Sequence, residues 1–169
     1  MQKYRISQQT ISKAKKEALD MGELNNSITH GEGNAYGFLG EKMAASYFGA
    51  AINHSYDWDL TFQNLTIDVK TKHCTSEPQP DYFCSVAAFN TRQKCDYYVF
   101  VRVLKDFSAG WILGGISKKD FFEQATFFKS GDLDPSSNLG WKFKADCYNL
   151  RINQLVPCEA LKKALGGSI

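Results

Sequence analysis

Three residues in one short stretch have the types and spacing to do chemistry together: Asp59, Asp68 and Lys70, within DWDLTFQNLTIDVKTK (57–72). A turn at Gln63-Asn64 makes this stretch a hairpin. Either a two-residue or a four-residue loop centred there sets Phe62 opposite Leu65, Leu60 opposite Ile67 and Trp58 opposite Val69. Those apolar side chains share one face. The other face then carries Thr61 opposite Thr66 and Asp59 opposite Asp68, with Lys70 two residues further along. A slip of one residue would turn polar side chains to the core, so the hydrophobic pattern favours this pairing. Directly opposed Cβ atoms lie ~4.5–5.5 Å apart, and like charges there repel. A divalent cation such as Mg²⁺ or Mn²⁺ relieves the repulsion, since it prefers oxygen ligands and commonly takes one or two carboxylates. Lys70 would then stabilise charge developing on a phosphate, or position an attacking water. The plain alternative is a solvated sheet face, where Asp, Thr and Lys are ordinary and a D-x-K triplet arises by chance. Asp57 is a rival to Asp59.

A third acid lies on a preceding helix. In YGFLGEKMAASYFGAA (36–51), Glu41 falls between Ala45 and Phe48 and close to Phe38 on the helical wheel. All three neighbours are apolar and expected to face the core, whereas Lys42 and Ser46 fall on the wet side. A buried carboxylate is costly unless paired or metal-bound. Gly37 and Gly40 would let this helix approach a sheet closely. Alternatively, Glu41 sits at the edge of the apolar face and reaches solvent or a lysine.

The elements that must position these groups follow from periodicity and breakers. Helices are expected over Ser7–Leu24 and Ala35–Ala50, separated by a turn-rich loop from Asn25 to Asn34. Strands are expected over Ala51–Tyr56, Trp58–Phe62, Leu65–Thr71, Tyr82–Ala88, Tyr97–Leu104, Gly110–Ile116 and Lys144–Ile152. Glu77–Asp81 and Ser130–Gly140 read as loops, and Asn90–Cys95 as a helical turn or connection. Ser117 is placed to cap a helix running to Phe128, and Pro157–Leu165 suits a final helix stopped by Gly166 and Gly167. The order predicts an α/β (α+β) domain with a mixed central sheet flanked by helices. Residues 1–34 form an N-terminal helix and loop, and residues 35–169 the core, within a single domain overall.

Composition bounds the partners without choosing one. Twenty Lys and Arg against 18 Asp and Glu give a net charge of only +2, so local patches matter more than the total. The five cysteines are odd in number and lack C-x-x-C spacing, which suggests reduced, mostly buried thiols and a cytoplasmic protein. No apolar run is long enough for a membrane span or a signal peptide. His30, His54 and His73 have no zinc-ligand spacing, and neither a G-x-S-x-G elbow nor a phosphate-binding P-loop occurs. Trp111 and Trp141 read as packing residues rather than base-stacking platforms. Lys13, Lys15 and Lys16 read as a solvated face, with phosphate contact the alternative.

A helix bearing G-E, then an isolated Asp, then an apolar strand ending in D-x-K resembles the P-D-(D/E)-x-K nuclease superfamily. The match runs from Tyr36 to Lys72, with a looser echo to Leu104, under half of the chain. The resemblance implies a restriction-endonuclease-like fold, built as helix, three strands, helix, strand. It implies a Mg²⁺- or Mn²⁺-dependent deoxyribonuclease, an endonuclease before an exonuclease, acting on DNA and paired as a homodimer. It casts Glu41 as the helix acid, Asp59 and Asp68 as metal-binding acids, Lys70 as the catalytic lysine and the Val69 carbonyl as a further ligand. Lys72, His73, Asn90 and Arg92 follow as substrate-binding candidates. Trp58 stands where the family often has proline. A non-catalytic nucleic-acid- or protein-binding module on the same fold, or an unrelated assembly protein, stays open.

Overall fold

The computed structural model describes residues 1–21, 34–53, 55–135, 137 and 140–166. Strand β1 (Gln2–Arg5) and helices α1 (Gln8–Met21) and α2 (Asn34–Phe48) precede β2 (Ala51–Ile52), β3 (Leu60–Phe62) and β4 (Leu65–Cys74). Then come β5 (Phe83–Ala87), β6 (Tyr97–Leu104), β7 (Ala109–Ser117), α3 (Lys118–Gln124), β8 (Thr126–Phe128), β9 (Cys147–Arg151) and α4 (Cys158–Ala164). Most of the loop expected at 25–34 lies outside the described residues.

Six strands form a mixed sheet in the order β1-β7-β6-β4-β3-β2, in which only the β4–β6 pair is parallel. The sequence of β6, YYVFVRVL, explains its central place. A strand buried on both faces reads as a nearly continuous apolar run. Val99, Val101 and Val103 join one core with α1, α2 and α4. Tyr98 and Phe100 join a second core with α3 and a small sheet, β5-β9-β8.

That small sheet departs from the expectation of one central sheet. The stretch at 82–88 is a strand as its pattern predicts, but it pairs with β9 rather than with β4 or β6. Ser117 does cap α3, its hydroxyl accepting the Asp120 N–H at 3.0 Å. The helix nevertheless ends at Gln124, because Thr126–Phe128, rich in β-branched and aromatic side chains, pairs with β9 instead. Strand β1, which the sequence reading missed, pairs with β7.

The hairpin turn is two residues long. Gln63 and Asn64 both have positive φ, 46° and 68°, the pattern of a type I′ turn that matches strand twist. The register is the expected one: Leu60↔Ile67, Thr61↔Thr66 and Phe62↔Leu65. All five cysteines are free and buried, and among the described residues no helix is long and apolar enough to cross a membrane.

Candidate active site

The expected hairpin breaks off one residue before Asp59 would pair. Strand β3 starts at Leu60, whereas β4 runs on to Cys74 with β6 on its other side. From Asp68 onward, the edge of β4 facing β3 is therefore open, and it forms a notch. Trp58 does not face Val69 as the sequence predicts. Its indole packs in the second core and Val69 belongs to the first, so the two lie on opposite faces of the sheet. The apolar demand of the indole is met by leaving the strand.

Asp59 closes the end of the ladder with both backbone and side chain. Its N–H donates to the Ile67 carbonyl at 3.0 Å, and its Oδ2 accepts the Val69 N–H at 2.7 Å. The carboxylate thus replaces the backbone acceptor a longer β3 would have supplied. In an extended strand the N–H and C=O of one residue point to the same side, so the Val69 carbonyl also faces the notch. Asp57 is accounted for elsewhere, accepting the Lys94 N–H at 3.2 Å. Of the two rivals, Asp59 is the one in the notch.

Asp68 is 1% exposed. The Lys70 ammonium lies 2.7 Å from its Oδ2, yet that contact lacks hydrogen-bond alignment, and the oxygen has no hydrogen-bond donor. Lys70 instead donates to Gln93 Oε1 at 2.9 Å. Gln93 is buried, and its Nε2 donates to the Tyr56 carbonyl at 2.8 Å. With the amide nitrogen so committed, the oxygen must face Lys70. Lys118 donates to the Gln93 carbonyl and secures the same segment. Nothing local in the sequence ties Gln93 to Lys70, 23 positions away, so its part in the site could not be read from the pattern.

Glu41, on α2, lies close enough to feel the charges of Asp59 and Asp68. Gly40 allows it: a Cβ built there would lie 1.9 Å from Thr71 Oγ1 on β4, so helix and strand touch where no side chain fits. Gly37 has open space around it and plays no such part. Phe38, Ala45 and Phe48 are buried as expected. Lys42 departs from the expected wet side, because α1 covers it and Glu17 pairs with its ammonium at 3.0 Å.

The three acids feel one another. Burial, then the charges of Asp59 and Asp68, push the Glu41 carboxyl up to about 8. Burial and the charge of Asp68 push Asp59 up to about 7, against the Val69 N–H and Lys70, which favour its ionised form. Among the described residues, no group of three or more His, Cys, Asp or Glu side chains is gathered tightly enough to hold a metal ion by itself.

No protein-family model matches this chain, and no curated protein matches it either. The chemistry must be read from the site.

The four substrate candidates separate. Lys72 and Asn90 line a cleft between the two sheets, which begins at Lys70. His73, on the opposite face of β4, lies against the Tyr36 ring with centroids 5.3 Å apart. Arg92 is exposed beyond the short 3₁₀ turn at Ala88–Asn90 and does not line the cleft. Trp111 is buried as expected, but Trp141 is 61% exposed and is not a packing residue.

The notch fits a divalent cation by its donor set. It offers hard oxygen donors from Asp59, Asp68 and Val69, with the buried Asp68 Oδ2 in contact with the Lys70 ammonium at 2.7 Å. A cation there would offset the burial and the charge repulsion that together raise Glu41 and Asp59.

Proposed function

We propose that this protein is a Mg²⁺- or Mn²⁺-dependent nuclease that hydrolyses DNA phosphodiester bonds, cutting internally rather than from ends. The observation that carries the reading is the convergence of Asp59, Asp68 and Lys70 on one open sheet edge, with Glu41 coupled to both aspartates. Asp59, Asp68 and the Val69 carbonyl would hold the metal, which supplies Lewis-acid stabilisation of the phosphate oxygens. Lys70 presents a fixed ammonium to the same phosphate, held by Asp68 and Gln93. Glu41, kept protonated near neutral pH until the charges beside it are balanced, is placed to take up or release a proton at its carboxyl.

The order α2, β2–β4, then β6 parallel to β4 supports a restriction-endonuclease-like arrangement. Where that family has a helix after the D-x-K strand, this chain has β5 and a 3₁₀ turn. We further propose that two copies act together on duplex DNA, as the resemblance implies.

The test is nicking of supercoiled plasmid and cleavage of single-stranded DNA with Mg²⁺ or Mn²⁺. Wild type should cut, and Asp68→Ala and Lys70→Ala should not. Equal behaviour of all three, active or inactive, removes the proposal.

A second reading has one observation in its favour. Asp68 is ion-paired internally by Lys70, and Asp59 is held by the Val69 N–H, as in a self-contained polar cluster. On that reading the chain is a non-catalytic nucleic-acid- or protein-binding module. Intact DNA binding without cleavage or metal uptake would favour it.

A further inference from the structure

The cleft between the two sheets presents the reverse of the notch. In the parallel β4–β6 pair, Lys72 stands directly beside Arg102. Both line the cleft, together with Lys70, Ser85 and Asn90, around a space of about 180 Å³. Like charges side by side on a sheet repel, so two cations in one register position need a reason.

Among the described residues the usual structural reason, a carboxylate partner, is missing for Arg102. It is 8% exposed, donates through Nη2 to the Phe83 carbonyl at 2.8 Å and lies 5.7 Å from the Tyr82 ring centre. Among the described residues it forms no ion pair. A guanidinium has five N–H donors, and a buried one with a single carbonyl bond keeps most of them for another acceptor. Lys72 is exposed, but to a concave space. Its ammonium is held below the usual lysine range by lost solvation and then by Arg102, with Asp134 acting in the opposite sense. The Ser85 hydroxyl is committed to Asn149 Oδ1 at 2.6 Å, which leaves Lys70, Lys72, Arg102 and Asn90 to receive a ligand.

We infer that Lys72 and Arg102, with Asn90, form a phosphate subsite that holds a phosphodiester of a nucleic-acid strand next to the one presented to Lys70. Lys70 lines the cleft and also pairs with Asp68, so the subsite and the notch are continuous through this side chain. The inference rests on the nuclease reading for its substrate class, but the cation pair stands independently of it. A cleft of this size admits a backbone phosphate and its sugar, from a single strand or from one strand of a duplex.

The test is fluorescence anisotropy of a labelled thymidine octanucleotide against the full-length protein, at several salt concentrations and without divalent metal. Lys72→Ala should weaken binding about tenfold and reduce the salt dependence by roughly one phosphate contact, ~0.7 in log–log slope for a single strand. Arg102→Gln should act in the same direction. Because Arg102 is buried, its thermal melt is compared with wild type, and Lys72→Ala carries the test should the Arg102 variant unfold. Lys119→Ala, an exposed lysine on α3, should leave binding unchanged. Inorganic pyrophosphate should compete with the oligonucleotide in wild type and not in Lys72→Ala. Unchanged affinity and slope in Lys72→Ala overturn the subsite. So does a protein that binds pyrophosphate but not the oligonucleotide, which would make it a small-anion site. Lys72-dependent binding in a protein that never cuts DNA would keep the subsite and remove the nuclease reading; cleavage unaffected by Lys72→Ala, with unaltered binding, would do the reverse.

Discussion

Two regions of β4 carry opposite charges a few residues apart. At the notch, where β3 stops, the strand brings Asp68 toward Asp59 and Glu41. At the cleft, where β6 lies alongside, it sets Lys72 beside Arg102. Each arrangement is unfavourable alone and favourable with a ligand of the other sign, a cation in the first and a phosphate in the second. Lys70 stands between them, paired with Asp68 and lining the cleft. A phosphodiester in the cleft together with a metal ion in the notch would satisfy both, and the geometry of one strand would set the spacing between them.

The largest effects should come from the notch. Replacing Asp68 by Asn, or Lys70 by Ala, should lower DNA cleavage by ~10²–10³ or more, as loss of a group that stabilises transition-state charge does. Plasmid nicking measures this, and retention of more than a tenth of the activity would separate the notch from the chemistry. Gln93→Leu should cost roughly tenfold in kcat with little change in KM, because it releases Lys70 without removing it. An effect confined to KM would make Gln93 a substrate contact.

Gly40→Ala sharpens the comparison through the helix. A methyl 1.9 Å from Thr71 Oγ1 must push α2 off β4, at ~1–3 kcal/mol, and carry Glu41 with it. Chemical denaturation should show the loss, and Thr71→Ala should restore part of it. No loss in the single variant would mean that α2 is not seated on β4 as described.

The pH response distinguishes the regions by sign. Glu41 and Asp59 have folded pKa values of about 8 and about 7, above the ~4 of an unfolded carboxylate. The folded protein therefore binds their protons more tightly. The stability they contribute is complete below pH ~4 and is lost as pH rises through about 7 and about 8. Metal-free wild type should melt at a lower temperature at pH 8.5 than at pH 5.5, and Asp59→Asn should flatten that slope. The gain at pH 8.5 is about 2–4 °C for each kcal/mol relieved. A wild-type Tm that rises over the same window contradicts the coupled acids. The smallest effect belongs to the turn: Asn64→Gly, at φ 68°, should leave stability within ~0.5 kcal/mol of wild type.

The notch was largely legible in the sequence because its information is local. A turn at Gln63-Asn64 and alternating side chains set the register of Leu60, Thr61 and Phe62 within a few residues of their partners. The helical phase put Phe38, Ala45 and Phe48 on the buried side of α2, and Gly40 marked where the helix touches β4. Two expectations failed there: Asp59 does not pair with Asp68 in the ladder, and Trp58 turns its indole to the other core, because a strand end is free to leave the face its alternation suggests. The cleft was much less legible. Lys72 meets Arg102 through a parallel pairing that no short-range pattern encodes, and Gln93 reaches Lys70 only after the chain has passed through β5 and the 3₁₀ turn. The second sheet depends on β5 finding β9, 64 positions on, where Ser85 lies opposite Asn149.

The central claim, that Asp59 and Asp68 form a cation site, is tested most directly by isothermal titration of the metal-free protein with Mn²⁺ at pH 7.5. Wild type should give a saturable heat for one site, and Asp68→Asn should give none. Absence of heat from wild type, or an identical isotherm from Asp68→Asn, would contradict it.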